Sequence, residues 1–201
     1  DVILETKNKG TFTVSNNSTI TSFKFSNFET ITINKCANLT SVQCNDDLAV
    51  LKTVNITDCA NLRSLILVAD NLEVLNLKGC TALTEITLKG STFNNLRILG
   101  LTNTKVSKIT IGDTVYSNGV FDFTMFPRLA KADPDYPITP YVSFYNNPNV
   151  VSIQFDNSGN TYLRADPNNT SASYNSTFYN CVNLERIYGS FIIMCNYCFY
   201  R

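Results

Sequence analysis

With 201 residues, 44% of them apolar and 16% charged, the chain can fold as one sizeable domain or a short repeat array and is not of disordered composition. Lys and Arg together number 16, as do Asp and Glu, so no long-range attraction to nucleic acid or an anionic membrane is expected. Histidine is absent, which removes the commonest general base, the His-paired nucleophiles and every His-containing metal site.

Taken in chain order, one pattern recurs. It begins as Phe12-x-Val14-x-x-Asn17-x-x-Ile20 followed by Phe23-x-Phe25, then Phe28-x-x-Ile31-x-Ile33-x-x-Cys36-x-x-Leu39 followed by Val42-x-Cys44. Leu51-x-x-Val54-x-Ile56-x-x-Cys59-x-x-Leu62 leads to Leu65-x-Leu67, and Leu72-x-x-Leu75-x-Leu77-x-x-Cys80-x-x-Leu83 leads to Ile86-x-Leu88. Leu96-x-x-Leu99-x-Leu101-x-x-Thr104 continues, one residue short, to Val106 and Ile109-x-Ile111. Val142-x-Phe144-x-x-Asn147-x-x-Val150 precedes Ile153-x-Phe155, and Phe178-x-x-Cys181-x-x-Leu184 precedes Ile187. The anchors at 17, 36, 59, 80 and 104 lie 19 to 24 residues apart, near the leucine-rich-repeat period of about 20–29 residues.

Each apolar-x-apolar pair has the period of a strand with one buried face. The Cys, Asn or Thr anchor follows the strand, where the chain must turn, and is expected to be buried there and to bond backbone groups that the turn leaves unpaired. The second pair reads as another short strand on an opposite wall, with too little sequence between for a long helix. One unit cannot bury its apolar side alone, so stacking must supply the core. The expectation is a β-rich leucine-rich-repeat solenoid with little helix, a single array of about seven units over 1–201.

The steps Cys36-Ala37-Asn38-Leu39, Cys59-Ala60-Asn61-Leu62 and Cys181-Val182-Asn183-Leu184 closely resemble the BspA-like branch of the leucine-rich repeats, found in bacterial surface proteins. The resemblance spans about three quarters of the chain and departs at Thr104, at Asn147 and across two insertions. It implies a right-handed coil with a parallel sheet on its concave face, and an extracellular or cell-surface role in adhesion or partner binding. Such repeats also occur in phage structural proteins, so a virion or other assembly component is the alternative.

Residues 112–141 and 156–175 interrupt the register. The first contains Phe121, Phe123, Met125 and Phe126, too apolar to stand free in solvent, and is expected to fold back onto the coil. The second, from Asp156-Asn157-Ser158-Gly159-Asn160 onward, is a polar turn sequence; it lacks the glycine and distal glutamate of a calcium loop. Cys36, Cys44, Cys59, Cys80 and Cys181 read as small buried side chains. Cys195-x-x-Cys198 has no second pair and no His, and could hold zinc only with ligands from beyond residue 201. Asp46-Asp47 and Asp133/Asp135 read as turn carboxylates. Asp1-Val2-Ile3-Leu4 carries no initiator Met or basic leader, and the chain stops within what looks like a new unit, so a fragment of a longer protein is expected. No catalytic residue, cofactor or metal is expected, and no apolar run approaches the ~18–20 residues that span a bilayer.

Residues alternating with the buried ones should face outward on the first wall. These are Thr32 and Asn34, Asn55 and Thr57, Asn76 and Lys78, Gly100 and Thr102, Ser143 and Tyr145, Thr177 and Tyr179, with Tyr141 and Tyr174 just before their strands. Tyrosine offers large contact area with a polar tip. Tyr141, Tyr145, Tyr174 and Tyr179 are therefore the candidate interaction surface. The expected partner is a protein or glycan on a host or neighbouring cell, or another subunit of an assembly, and neither nucleic acid nor a membrane interior.

Overall fold

The structure, a computed structural model, describes residues 1–44, 50–164, 177–194 and 199. Among them there is no helix, and the chain coils as a β-solenoid. β1 (Val2–Ser15), β2 (Ser22–Asn34), β3 (Ser41–Cys44), β4 (Thr53–Thr57), β5 (Ser64–Val68), β6 (Val74–Asn76), β7 (Glu85–Lys89), β8 (Ile98–Gly100) and β9 (Lys108–Ile111) wind back and forth between two walls. β10 (Thr114–Tyr116), β11 (Val120–Phe123), β12 (Val142–Ser143), β13 (Ser152–Phe155), β14 (Thr161–Leu163), β15 (Arg186–Tyr188) and β16 (Phe191–Ile193) follow. β2 belongs to both walls: its first residues pair in parallel with β3 and its last with β4. From there the first wall grows through β6, β8 and β12, and the second through β5, β7 and β9, every step parallel.

The apolar-x-apolar rule places the side chains as expected. Ile33 pairs with Ile56 across the first wall, and Ile33, Ile56 and Leu77 are all buried in one continuous core. Each such side chain contributes on the order of 1.5–3 kcal/mol by leaving water, but only because its neighbours above and below complete the enclosure.

The corner after the first wall shows why the anchors recur. The residue before every anchor (Asn16, Lys35, Asp58, Gly79, Asn103, Asn146 and Asn180) has φ between 51° and 78°. That left-handed conformation suits Gly, Asn and Asp far better than other residues, and six of the seven are of those types. The anchor then turns inward. Cys59 Sγ lies 3.5 Å from Thr57 O, Cys80 Sγ donates to Ile56 O at 3.3 Å and Cys181 Sγ to Phe144 O at 3.0 Å. Thr104 Oγ1 donates to Leu101 O, and Asn147 Nδ2 donates to Val106 O. The asparagine two residues on stitches rungs together: Asn38, Asn61, Asn149 and Asn183 each donate to a carbonyl of the preceding rung, those of Ser18, Ala37, Lys105 and Pro148, at 2.6–2.7 Å. These bonds give the Cys-x-Asn-Leu step its physical content.

The two insertions are not simple excursions. β9 turns back through Gly112-Asp113 into antiparallel β10, and β11 then adds a strand to the second wall, pairing in parallel with β13, which pairs with β15. β11, β13 and β15 form a separate three-stranded sheet, tied to the preceding rung by the bond from Gly119 N to Ser107 O, and Val151 N bonds Gly119 O in turn. The first wall has no matching strand, since β8 pairs directly with β12. Larger side chains fill the interior here: Phe144 stacks against Phe121, Phe123 and Phe178 with centroids 5.8–6.2 Å apart. Met125, expected to pack, is instead 40% exposed. In the second insertion the turn at Asp156 is followed by β14, paired in parallel with β16.

Candidate functional site

On the outward side of the first wall, register stacks side chains into three columns. The first runs Thr30, Thr53, Val74, Ile98, Tyr141; the second Thr32, Asn55, Asn76, Gly100, Ser143; the third Asn34, Thr57, Lys78, Thr102, Tyr145, Tyr179. The rungs from Thr30 to Lys78 in the second and third columns are half-buried, as an outward face should be.

Further along, the expected exposure fails. Gly100, Thr102, Ser143 and Thr177 are buried, and so is Tyr141, 4% exposed in a separate outer cluster with Val74 and Ile98. Thr102 and Ser143 bond each other, and at the first column the segment leading from Ala130 to Tyr141 returns across this face. Ala130 N donates to Arg97 O, Arg97 pairs with Asp133 at 2.6 Å, and the Tyr136 ring stacks on the Arg97 guanidinium at 4.5 Å. Burial, then the nearby Glu73 carboxylate, push the Tyr136 hydroxyl up from its ordinary value. The Asp135 N–H holds the Asp133 carboxyl below its ordinary value against a burial penalty, and Arg97 adds to the effect. Gly100 makes room for this covering: a Cβ there would lie 2.8 Å from Asn76 Oδ1 and 3.3 Å from the Tyr141 hydroxyl. Tyr141 is thus a packing residue beneath a strap. Tyr174, Cys195, Cys198 and Asp46-Asp47 lie outside the described residues.

Tyr145 and Tyr179 are brought together. Their rings stack with centroids 5.2 Å apart and planes 11° from parallel, a geometry set by neighbouring positions in the third column. Beside them runs an amide ladder on the left-handed corner. Asn180 Nδ2 donates to Asn146 Oδ1 at 2.7 Å, and Asn146 Nδ2 donates to Asn103 Oδ1 at 2.9 Å. The next position is Gly79, and there the ladder stops. A groove of about 410 Å³ opens at that point, lined by Asp58, Gly79, Thr81, Asn103, Thr104, Lys105, Asn146 and Pro148. None of these was singled out as a site residue from sequence, although the run Asp58, Gly79, Asn103, Asn146 could have been read as one column from its fixed offset to the anchors.

Three of the corner thiols are held in the protonated form. Desolvation pushes Cys59 up to about 11 and Cys80 and Cys181 up to about 12, so all three are protonated at neutral pH. Among the described residues no group of three or more His, Cys, Asp or Glu could hold a metal ion. Among comparisons with known proteins, no family model, no curated protein and no solved structure matches the chain.

Proposed function

We propose that this chain is a non-catalytic binding module, an adhesion unit of a surface or secreted protein that takes a protein or glycan partner on another cell. The observation that carries this reading is the stacked Tyr145–Tyr179 pair beside the Asn103–Asn146–Asn180 ladder on one outward corner. Two rings held rigid by stacking present contact area with little entropy left to lose on binding, and the adjoining amides supply donors and acceptors. The Cys-x-Asn-Leu steps, with their resemblance to the BspA-like repeats, support the extracellular placement. Thiols that are desolvated and protonated favour a structural use of the cysteines over chemistry.

The test is to screen the chain against a glycan array and a panel of arrayed cell-surface proteins, then measure affinity for any ligand with Y145A/Y179A. Affinity is expected to fall by about tenfold or more, with melting temperature and circular dichroism showing a folded variant. Y145F/Y179F, which keeps the stacked rings, separates loss of the surface from loss of the hydroxyl tips. A screen with no ligand, or a ligand held equally well by the folded alanine variant, refutes the reading.

A further inference from the structure

The corner column is continuous in backbone but interrupted in side chains. Asn180 donates its carboxamide N–H to Asn146 Oδ1, and Asn146 donates to Asn103 Oδ1. Asn103 Oδ1 thus already accepts one bond, while its Nδ2 makes none to another described residue, and Asn103 lines the groove over Gly79. Beyond Gly79, the Asp58 carboxylate leans into the same space: a Cβ on residue 79 would lie 2.3 Å from Asp58 Oδ1. One missing rung thus separates a carboxylate, which only accepts, from an amide, whose remaining group only donates.

That polarity selects a ligand. A pair of adjacent hydroxyls satisfies both ends, one donating to Asp58 and its neighbour accepting from Asn103. Among the described residues the charged lining groups are Asp58 and Lys105, of opposite sign, so they give the groove no net preference for an anion or a cation. Among the described lining residues Pro148 is the one apolar side chain, which gives a peptide no anchor pocket there. Its volume of about 410 Å³ lies within the range of about 300–1,000 Å³ typical of small-molecule sites. We infer that the groove over Gly79 is a saccharide subsite, taking vicinal hydroxyls of a neutral sugar between Asp58 and Asn103. This rests on the binding-module reading and names a ligand class for it.

Titrating the intact chain with methyl glycosides of glucose, galactose and mannose, followed by amide NMR, tests it, with acetamide as a carboxamide probe. At least one glycoside is expected to shift the amides of Gly79, Thr81, Asn103 and Lys105 saturably at millimolar concentration. Two substitutions keep the left-handed corner: D58N removes the acceptor charge, while N103D keeps the acceptor for Asn146 and removes the donor. Each should weaken glycoside binding by about tenfold or more, the cost of one hydrogen bond to a charged group. The exchanged pair D58N/N103D should recover most of it, because each sugar hydroxyl can donate or accept. Groove amides that stay still with every glycoside, that respond only to acetamide, or that respond equally in folded D58N and N103D overturn the assignment. If an array ligand is weakened by Y145A/Y179A while the groove is silent to every glycoside, the subsite fails and the module stands. Glycosides that titrate the groove while the array ligand ignores the tyrosine variants leave the subsite and remove the tyrosine face.

Discussion

Between Asn17 and Thr104 the coil advances by similar increments: mostly aliphatic side chains inside, with Phe23, Phe25 and Phe93 also buried, thiols at most corners, and one strand on each wall per rung. Beyond Ile111 the same coil gains β11, a second-wall strand without a first-wall partner, stacks phenylalanine rings around Phe144, uses Asn147 in place of a thiol at one corner, and lays a strap over its outward face. The two halves obey one backbone rule and solve different volume problems. Where walls match, Leu, Ile and Val fill most of the gap; where one wall is longer, stacked rings occupy it.

The sharpest way to break this contrast is Phe144→Ala. Phe144 is fully buried and stacks on three other rings, so its loss should cost about 3–5 kcal/mol. Leu77→Ala, in the regular half, should cost about 2–5 kcal/mol, and denaturant melts of the two variants compare them. A Phe144 variant that melts like wild type would show that the aromatic half is not close-packed. A smaller difference is expected at the corners. Asn147 is buried and its side chain bonds Val106 O, Thr104 Oγ1 and the Asn149 N–H, so Asn147→Ala should cost about 1–3 kcal/mol through orphaned polar groups. Cys59→Ala gives up only a weak sulfur donor and a small volume, and should cost less on the same melts. Smallest is the strap. Because Asp133 has a lowered folded pKa, its contribution is present above the ordinary carboxylate value of 3.8 and is lost as pH falls through the folded value. Hydrogen exchange over residues 130–141 should therefore quicken on acidification, with 53–57 unaffected, and Asp133→Asn should quicken it at neutral pH and abolish the acid dependence.

The walls were legible because burial with period two leaves its mark in every rung, from Ile31-x-Ile33 to Val142-x-Phe144. The corner bonding was legible in kind, since Cys36, Cys59, Cys80, Thr104 and Asn147 share one offset. The strap was not, because the outward face was assigned from alternation alone. Val74 and Ile98 were the neglected signal: apolar residues in a column that begins Thr30, Thr53 imply a cover. Phe121-x-Phe123 was likewise a strand pair hidden in a stretch treated as insertion. Which residues cross which face depends on contacts far apart in sequence, such as Arg97 with Asp133, and no local periodicity encodes those.

The unmatched strand has one more consequence. Strands stack about 4.8 Å apart and facing walls lie about 10 Å apart, so one extra strand on a single wall acts as a wedge of roughly 25°. Lys78, Thr102 and Tyr145 lie on the wall that lacks the extra strand.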